Sequence, residues 1–271
     1  MTARPLSPAA PRFAFGANWR RFLTTLTPER IAIAEQSLRT MLALPTLAGR
    51  RFLDIGSGSG LFSLAAHRLG ARVHSFDYDP EAVACTAALR QRFFPDDPAW
   101  TVERGDVLDA AYIASLGTFD IVYAWGVLHH TGDLWRALDH AQRPVAPGGW
   151  LYIAIYNDQG WRSALWRRIK WGYNVLPAVL RPLYALPLFA LIEGYALLRV
   201  SERRYQTNRG MSRWHDFWDW IGGYPFEVAR PEAVLAFYQQ RGYRPVRQKL
   251  CGGGSGNNEF VFQKPPAGPV P

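Results

Sequence analysis

Three glycines alternate with serines directly after an acidic residue, in the run D-I-G-S-G-S-G at residues 54–60. Glycines let a backbone turn sharply and approach a ligand that a side chain would block. Apolar residues precede the run, as in a buried strand, and a helical pattern begins at Leu61. A second apolar run ends at Asp77, about 20 residues downstream, which is the spacing of an acid that binds ribose hydroxyls in a nucleotide-binding βαβ unit. The predicted chemistry is recognition of a nucleoside.

The spacing of the glycines distinguishes two kinds of nucleotide site. Dinucleotide sites favour G-x-G-x-x-G, in which a pyrophosphate lies on a helix N-terminus. This chain instead has G-x-G-x-G after Asp54. The run resembles motif I of the class I S-adenosylmethionine-dependent methyltransferases, whose ligand carries no phosphate.

Four later segments resemble the same family, in the family's order. They are Asp77, matching the ribose-binding acid; residues 105–107, matching the acid that meets the adenine amino group; and residues 119–124 and 147–153, matching the fourth and fifth strands. The resemblance covers roughly residues 50–157 and implies S-adenosyl-L-methionine as the cofactor. The cofactor site that it implies comprises Asp54, Gly56, Ser57, Gly58, Gly60, Asp77, Tyr78, Asp106, Val107, Ala124 and Trp125.

Strands and helices alternate up to residue 157, which predicts an α/β fold with a parallel sheet. With the resemblance, we expect a doubly wound, mostly parallel, seven-stranded Rossmann-like sheet with an antiparallel last strand. Helices are predicted at 28–44 and 231–241, and the last two strands at 244–251 and 259–264. The expected organisation is an N-terminal arm and helical cap (1–48), a cofactor-binding core (49–157), a helical, aromatic-rich lid insertion (158–228), the end of the core (229–264) and a tail (265–271). The aromatic arm at 13–19 is expected to fold over the site.

Two adjacent histidines, His129 and His130, follow the predicted fourth strand, which borders the reacting methyl group in class I enzymes. A histidine can accept a proton near neutral pH, and we favour His129 over His130 as the base. The other ring would orient the loop by hydrogen bonding. Some ubiquinone and menaquinone methyltransferases, which this segment resembles, place a glutamate here as well. Since this chain lacks that glutamate, no metal is expected.

Further candidates lie at the end of the fifth strand and in the insertion. Tyr156 and Asn157 could hold a polar group of the substrate, although Asn157 could equally cap a turn. His215 and Asp219 are four residues apart and share a face if the segment is helical, so the carboxylate could prime the imidazole. The alternative is an aromatic lid helix with a solvated His–Asp pair. Trp214 and Tyr224 complete the predicted substrate site.

The net charge of +9 is concentrated outside the predicted core, at Arg20–Arg21 and at residues 162–170 and 199–213. Residues 182–198 are almost entirely apolar but contain Pro187 and Glu193, and a span needs about 20 apolar residues. Two interpretations remain, a buried helix or an interfacial element that contacts anionic lipid. The N-terminus lacks the apolar core of a signal peptide, and the two cysteines are far apart. A cytoplasmic location follows, with peripheral membrane contact under the second interpretation.

The predicted function is methyl transfer to a small-molecule or lipid-like acceptor, at oxygen. A first alternative is an RNA or tRNA methyltransferase, but the basic residues interleave with apolar runs rather than with polar ones. A second alternative is a non-catalytic lipid-binding or interaction module. A small acceptor is favoured over nucleic acid as the partner, and the oligomeric state stays open.

Overall fold

The computed structural model describes residues 13, 15–197, 217, 220–252 and 256–267. Within these residues seven strands form one sheet: β1 (Arg51–Ile55), β2 (Arg72–Asp77), β3 (Trp100–Arg104), β4 (Phe119–Trp125), β5 (Val145–Tyr156), β6 (Arg244–Lys249) and β7 (Asn257–Gln263). Their order is β3-β2-β1-β4-β5-β7-β6. The pairs from β3 to β5 are parallel, whereas β7 runs antiparallel to both β5 and β6. This mostly parallel sheet with a reversed strand confirms the predicted fold.

Helices cover both faces of the sheet. The described helices are α1 (Gly16–Leu23), α2 (Pro28–Leu42), α3 (Leu61–Arg68), α4 (Pro80–Phe93), α5 (Ala110–Ser115), α6 (Leu134–Gln142), α7 (Trp161–Val175), α8 (Arg181–Leu197) and α9 (Pro231–Gln239), with 3₁₀ turns at Leu128–His130 and Ala178–Leu180. Local sequence sets several helix starts. The side chains of Thr27 and Asp79 accept backbone N–H groups at the starts of α2 and α4, each directly before a proline.

Alternation along the strands divides the core into two layers. Phe52 and Ile121 pack with α2 and α3 on one face, whereas Leu53 and Val122 pack with α6 and α9 on the other. Successive side chains of a strand point to opposite faces, so a sheet covered on both sides needs apolar residues at consecutive positions. This is why β1 has Phe52 and Leu53, and β4 has Ile121 and Val122, at consecutive positions.

The sheet ends at β6, all six residues of which are exposed. The strand carries Pro245, Arg247 and Lys249. A proline lacks the N–H that another strand would need, and charged side chains discourage edge-to-edge pairing. β6 ends at Lys249 rather than at the predicted residue 251, since the backbone N–H of Cys251 donates to the Asn258 side chain (3.1 Å) instead of continuing the ladder.

Residues 158–228 leave and rejoin the sheet at one point. Asn157 pairs with Ala229 in an isolated parallel bridge, and the N–H of Ala229 donates to the Tyr156 carbonyl at 3.0 Å. The inserted chain therefore starts and finishes beside the carboxyl end of β5. Its described helices are α7 and α8, and α8 spans most of the apolar run at 182–198. Among the described residues, no helix combines the length and apolar content needed to cross a membrane.

Candidate cofactor and acceptor site

The glycine loop between β1 and α3 requires glycine for conformation and for space. Gly56, Gly58 and Gly60 have φ values of +72°, +56° and +79°, a region that side chains strongly disfavour. A Cβ on Gly56 would lie 2.5 Å from the methyl groups of Val127, and one on Gly58 would lie 3.0 Å from Nε1 of Trp19. The loop therefore forms a cradle that any larger residue would fill.

Asp77 lies at the carboxyl end of β2, directly beside this loop. Its carboxylate accepts the N–H of Gly58 at 3.0 Å and the N–H of Asp79 at 2.9 Å. Burial raises the pKa of Asp77 to about 6 despite these hydrogen bonds. The backbone N–H of Tyr78 also donates to this carboxylate. Because a carboxylate offers about four acceptor positions, acceptor capacity for a ribose is left. The loop and the acid thus fit the nucleoside part of S-adenosylmethionine.

Asp54 lies behind the loop rather than on its surface. Its buried carboxylate accepts the Ser63 hydroxyl at 2.5 Å, and Ser63 is 2.7 Å from the hydroxyl of Ser75. The Trp100 indole N–H donates to Ser75 at 2.9 Å and extends the chain of hydrogen bonds. Burial raises the pKa of Asp54 to about 7, outweighing the hydrogen bond from Ser63.

We expect this raised pKa to appear as a pH-dependent loss of stability. Folded Asp54 holds its proton up to about pH 7, whereas the unfolded side chain releases it near pH 4, so the stabilisation is complete below pH 4 and is lost as the pH rises through 7. The free energy of unfolding of the parent should fall by an amount on the order of 2 to 4 kcal/mol between pH 4 and pH 8 because of Asp54, and Asp54→Asn should lack this fall. Denaturant unfolding of both proteins across this range measures it. Parallel pH profiles for the two proteins would contradict the assignment, since Asp77 is common to both.

The other predicted cofactor residues lie at the carboxyl ends of β1 to β4. Ser57 is 2.9 Å from the Thr86 hydroxyl, and half-buried Asp106 accepts the N–H of Leu108 at 2.8 Å. Val107 and Ala124 are buried, Trp125 is half-buried and Tyr78 is exposed. The structure thus brings these residues to one edge of the sheet, and their individual roles stay predictions.

The N-terminal arm lies across this edge. Trp19 covers Gly58, as described above, and the N–H of Gly16 donates to the Asp79 carboxylate at 2.9 Å. Phe15 contacts the ring of His130, with centroids 5.1 Å apart. The arm therefore touches both the glycine loop and the histidines.

The two histidines differ in exposure and in hydrogen bonding. His129 is fully buried, and its Nδ1 accepts the backbone N–H of Tyr156 at 3.4 Å. Burial lowers its pKa well below the ordinary histidine value. His130 is only partly buried, and its Nδ1 donates to the Pro225 carbonyl at 2.7 Å, because a carbonyl can only accept. The Nε2 of His130 therefore carries the lone pair, and this nitrogen has no hydrogen-bond partner among the described residues.

This geometry moves our preference from His129 to His130. A base must reach the proton that it removes, and a ring with no exposed surface does not meet a substrate. His130 is a weak base, because burial lowers its pKa to about 3. For His129 we therefore predict that it orients the loop, the role that the sequence analysis expected of one ring of the pair.

Several residues that the sequence did not indicate surround the histidines. Glu227 accepts the N–H groups of Gly132 and Leu134 at 3.0 and 3.2 Å and donates its own N–H to the His129 carbonyl. The buried Lys170 ammonium lies 4.5 Å from the ring centroid of Trp220 and 4.8 Å from that of Phe226. Glu227 thus links the insertion to the 3₁₀ turn at Leu128–His130, and Lys170 lies among aromatic rings of the insertion. Glu227, four residues after Gly223, carried no signal of its own in the sequence.

Of the predicted substrate residues, the structure describes Tyr156, Asn157 and Tyr224. The Tyr156 ring packs at a tilt against His129, with centroids 3.9 Å apart, and the Asn157 side-chain oxygen accepts the Asn258 amide N–H at 3.0 Å. A cavity beside them is lined by Tyr156, Asn157, Gln159, Ser163, Trp166, Trp220, Phe226 and Gly256. Tyr224 is half-buried, and its carbonyl accepts the N–H of Phe13. The predicted residues Trp214, His215 and Asp219 lie outside the described residues.

No three histidine, cysteine or acidic side chains gather as metal ligands within the part of the chain that the structure describes.

Residues 27–186 match the methyltransferase domain family. Among curated relatives, the chain is 33% identical over 127 residues to ubiquinone biosynthesis O-methyltransferase of Nitrobacter winogradskyi, covering 46% of this chain and 45% of that protein. It is 34% identical over 111 residues to the protein of that name from Xanthomonas oryzae pv. oryzae, covering 41% and 45%. The chain therefore spans about half the length of the curated relatives it matches.

Two solved structures have a similar fold. The N-methyltransferase NodS from Bradyrhizobium japonicum with S-adenosyl-L-homocysteine superposes with a TM-score of 0.54 at 17% identity, covering 93% of this chain and 99% of that one. Magnesium protoporphyrin IX methyltransferase from Synechocystis, also with bound S-adenosylhomocysteine, gives 0.54 at 14% identity and covers 92% and 93%. The chain therefore belongs to the methyltransferase domain family and has the S-adenosylmethionine-dependent methyltransferase fold, which confirms the family, fold and cofactor predicted from the sequence.

Proposed function

We propose that this protein transfers the methyl group of S-adenosylmethionine to a hydroxyl oxygen of a small, hydrophobic acceptor. The observation that carries the proposal is the Nε2 lone pair of His130, fixed in place by the bond from Nδ1 to the Pro225 carbonyl. A neutral hydroxyl donates to such a lone pair and gains from a base that takes its proton, whereas a neutral amine is nucleophilic without a base. The name O-methyltransferase of the curated relatives supports the choice of oxygen.

Different residues would bind the cofactor and the acceptor. The glycine loop, Asp77 and Asp106 would hold the cofactor, which when bound supplies an electrophilic methyl group. His130 would hold the acceptor hydroxyl and receive its proton. Since positioning of two reactants supplies roughly 7 to 11 kcal/mol of a barrier, alignment contributes more than basicity here.

Aromatic rings around the histidines favour a flat, apolar acceptor. The ring centroid of Tyr156 lies 3.9 Å from that of His129 and 5.3 Å from that of Phe226, and the Phe15 ring lies 5.1 Å from the His130 ring. Such rings exclude water and stack on planar molecules. They support a hydroxylated aromatic compound over a sugar or a nucleic acid.

Transfer of a radiolabelled methyl group tests the proposal. We expect the purified protein to label catechols and quinols that carry an apolar substituent, and to leave the matched anilines and bulk tRNA unlabelled. The matched amine controls for shape, because it differs from the phenol only at the reacting atom. Labelling of the amine alone, or of tRNA alone, would overturn the proposal. So would the absence of transfer by protein that binds S-adenosylhomocysteine.

A further inference from the structure

Helix α7 has two faces of opposite character. Its buried residues, Ser163, Lys170, Tyr173 and Asn174, recur at helical spacing and face the core. The opposite face exposes four large apolar side chains: Trp161 (72%), Leu165 (46%), Trp171 (50%) and Val175 (46%). An ordinary surface helix places its apolar stripe inward and its polar residues outward. The outward face of α7 departs from that rule.

Exposed apolar side chains continue along the chain past α7 into the following turn and α8. Val179 is 83% exposed and Leu183 is 72% exposed, with Leu180 and Leu186 beside them. We call the set Trp161, Leu165, Trp171, Val175, Val179, Leu180, Leu183 and Leu186 the outer apolar surface. It holds eight of the twelve large hydrophobic side chains that are exposed among the described residues. Apolar patches of this kind mark sites of interaction rather than ordinary protein surface.

The charged residues of the segment that carries the outer apolar surface all have one sign. Residues 159–192 contain no aspartate or glutamate, whereas they contain Arg162, Arg167, Arg168, Lys170 and Arg181. Arg162, Arg167 and Arg168 are exposed, and the Arg162 guanidinium lies 5.6 Å from the ring centroid of Trp161. Exposed arginines beside exposed tryptophans match the interface of a bilayer, where cations meet anionic headgroups and indole rings lie at headgroup depth.

We propose that the outer apolar surface docks on an anionic membrane, with Val179 and Leu183 entering the acyl boundary and Arg162 and Arg168 contacting headgroups. The positive charge favours a membrane over a partner protein, because the interface of a partner protein would have to bury these arginines or supply an acidic side chain for each of them. The proposal needs no membrane-spanning helix. It also does not rest on the identity of the methyl acceptor, since the surface faces away from His130.

Co-sedimentation with vesicles tests the docking. We expect the intact protein to bind vesicles of mixed phosphatidylglycerol and phosphatidylcholine, and to bind phosphatidylcholine alone at least about tenfold more weakly. Binding to the anionic vesicles should weaken as salt is raised. The double variant Val179→Glu, Leu183→Glu should lose at least about tenfold in affinity, because each change exchanges an inserted apolar side chain for a carboxylate.

A matched control separates docking from general hydrophobicity. Val246 and Leu250 are 46% and 50% exposed at the edge strand β6 and its end, and Val246→Glu, Leu250→Glu should leave vesicle binding unchanged. Both double variants should bind S-adenosylhomocysteine like the parent, which shows that they are folded. Equal loss in both variants, or no binding of the parent to either vesicle, would overturn the proposal. A different outcome would assign the surface to a second copy of the chain. The parent would then self-associate in sedimentation equilibrium without binding vesicles, and only the Val179, Leu183 variant would lose this self-association.

Discussion

Replacing Asp77 with alanine is expected to weaken binding of S-adenosylhomocysteine by about 10²- to 10⁴-fold. The change removes a charged acceptor for the ribose hydroxyls, and each hydrogen bond to a charged group contributes about 1.5 to 3 kcal/mol. It also releases the N–H of Gly58, which the carboxylate holds at 3.0 Å. Isothermal titration calorimetry at pH 8, where Asp77 is ionised, measures the affinity.

Asp120 provides the matched control for this experiment. Its carboxylate also accepts a backbone N–H, that of Arg51 at 2.8 Å, but at the opposite end of the sheet from the glycine loop. Asp120→Ala should therefore leave the cofactor affinity unchanged. Since the pKa of Asp77 is about 6, affinity of the parent should also fall as the pH drops through 6, and Asp77→Asn should lack this component. Unchanged affinity in Asp77→Ala would refute the ribose assignment.

Replacing His130 with alanine is expected to lower kcat by about 100-fold while leaving cofactor affinity unchanged. General bases contribute about 10²- to 10⁴-fold, and a weakly basic imidazole belongs at the lower end of that range. Because a pKa of about 3 keeps the ring neutral, kcat of the parent should show no histidine titration between pH 8 and pH 5. Methyl transfer at saturating cofactor measures both quantities once an acceptor has been found.

Two other histidines serve as comparisons. His74 pairs with Glu103 at 3.0 Å on β2, away from the reacting groups, so His74→Gln should keep full activity. His129→Gln should lower stability more than His130→Gln does, because His129 is the fully buried ring. A larger loss of kcat in folded His129→Gln than in His130→Ala would return the assignment to His129. The kcat of the parent could instead fall with a midpoint near pH 6.5 that His130→Gln lacks. This result would show that His130 titrates like a solvent-exposed histidine and would contradict the neutral ring.

The cofactor half of the site could be predicted because its signals are local. A glycine loop directly after β1 and an acid at the end of β2 are set by a few neighbouring residues, and parallel strands bring their carboxyl ends to one edge automatically. The same logic predicted the reversed β7, since a glycine-rich link at residues 252–256 joins two short strands. The ends of the elements were predicted less accurately. β6 ends two residues before the predicted residue 251, because the Asn258 side chain accepts the N–H of Cys251.

The acceptor half could not be predicted because its contacts are distant in sequence. The choice between His129 and His130 depends on Pro225, nearly a hundred residues later, which fixes one ring through its carbonyl. Lys170 stood within a basic run that is typical of a solvated or headgroup-facing segment. Only its helical spacing from Ser163 and Tyr173, which share its buried face, distinguishes it from Arg167 and Arg168. That spacing was visible, but without the positions of Trp220 and Phe226 it had no meaning.

The two faces of α7 bear on the energetics of acceptor delivery. A helix is about 10 to 12 Å across with its side chains. On the inner side of α7, the Lys170 ammonium lies 5.8 Å from the ring centroid of Tyr156, which in turn lies 5.4 Å from that of His130. Moving an acceptor with a long alkyl tail through water costs about 0.8 kcal/mol for each methylene exposed. If the outer face rests on lipid, an acceptor whose tail is long enough to pass α7 keeps the far end of that tail in the bilayer while its ring is at His130, and the extraction cost of those methylenes is avoided.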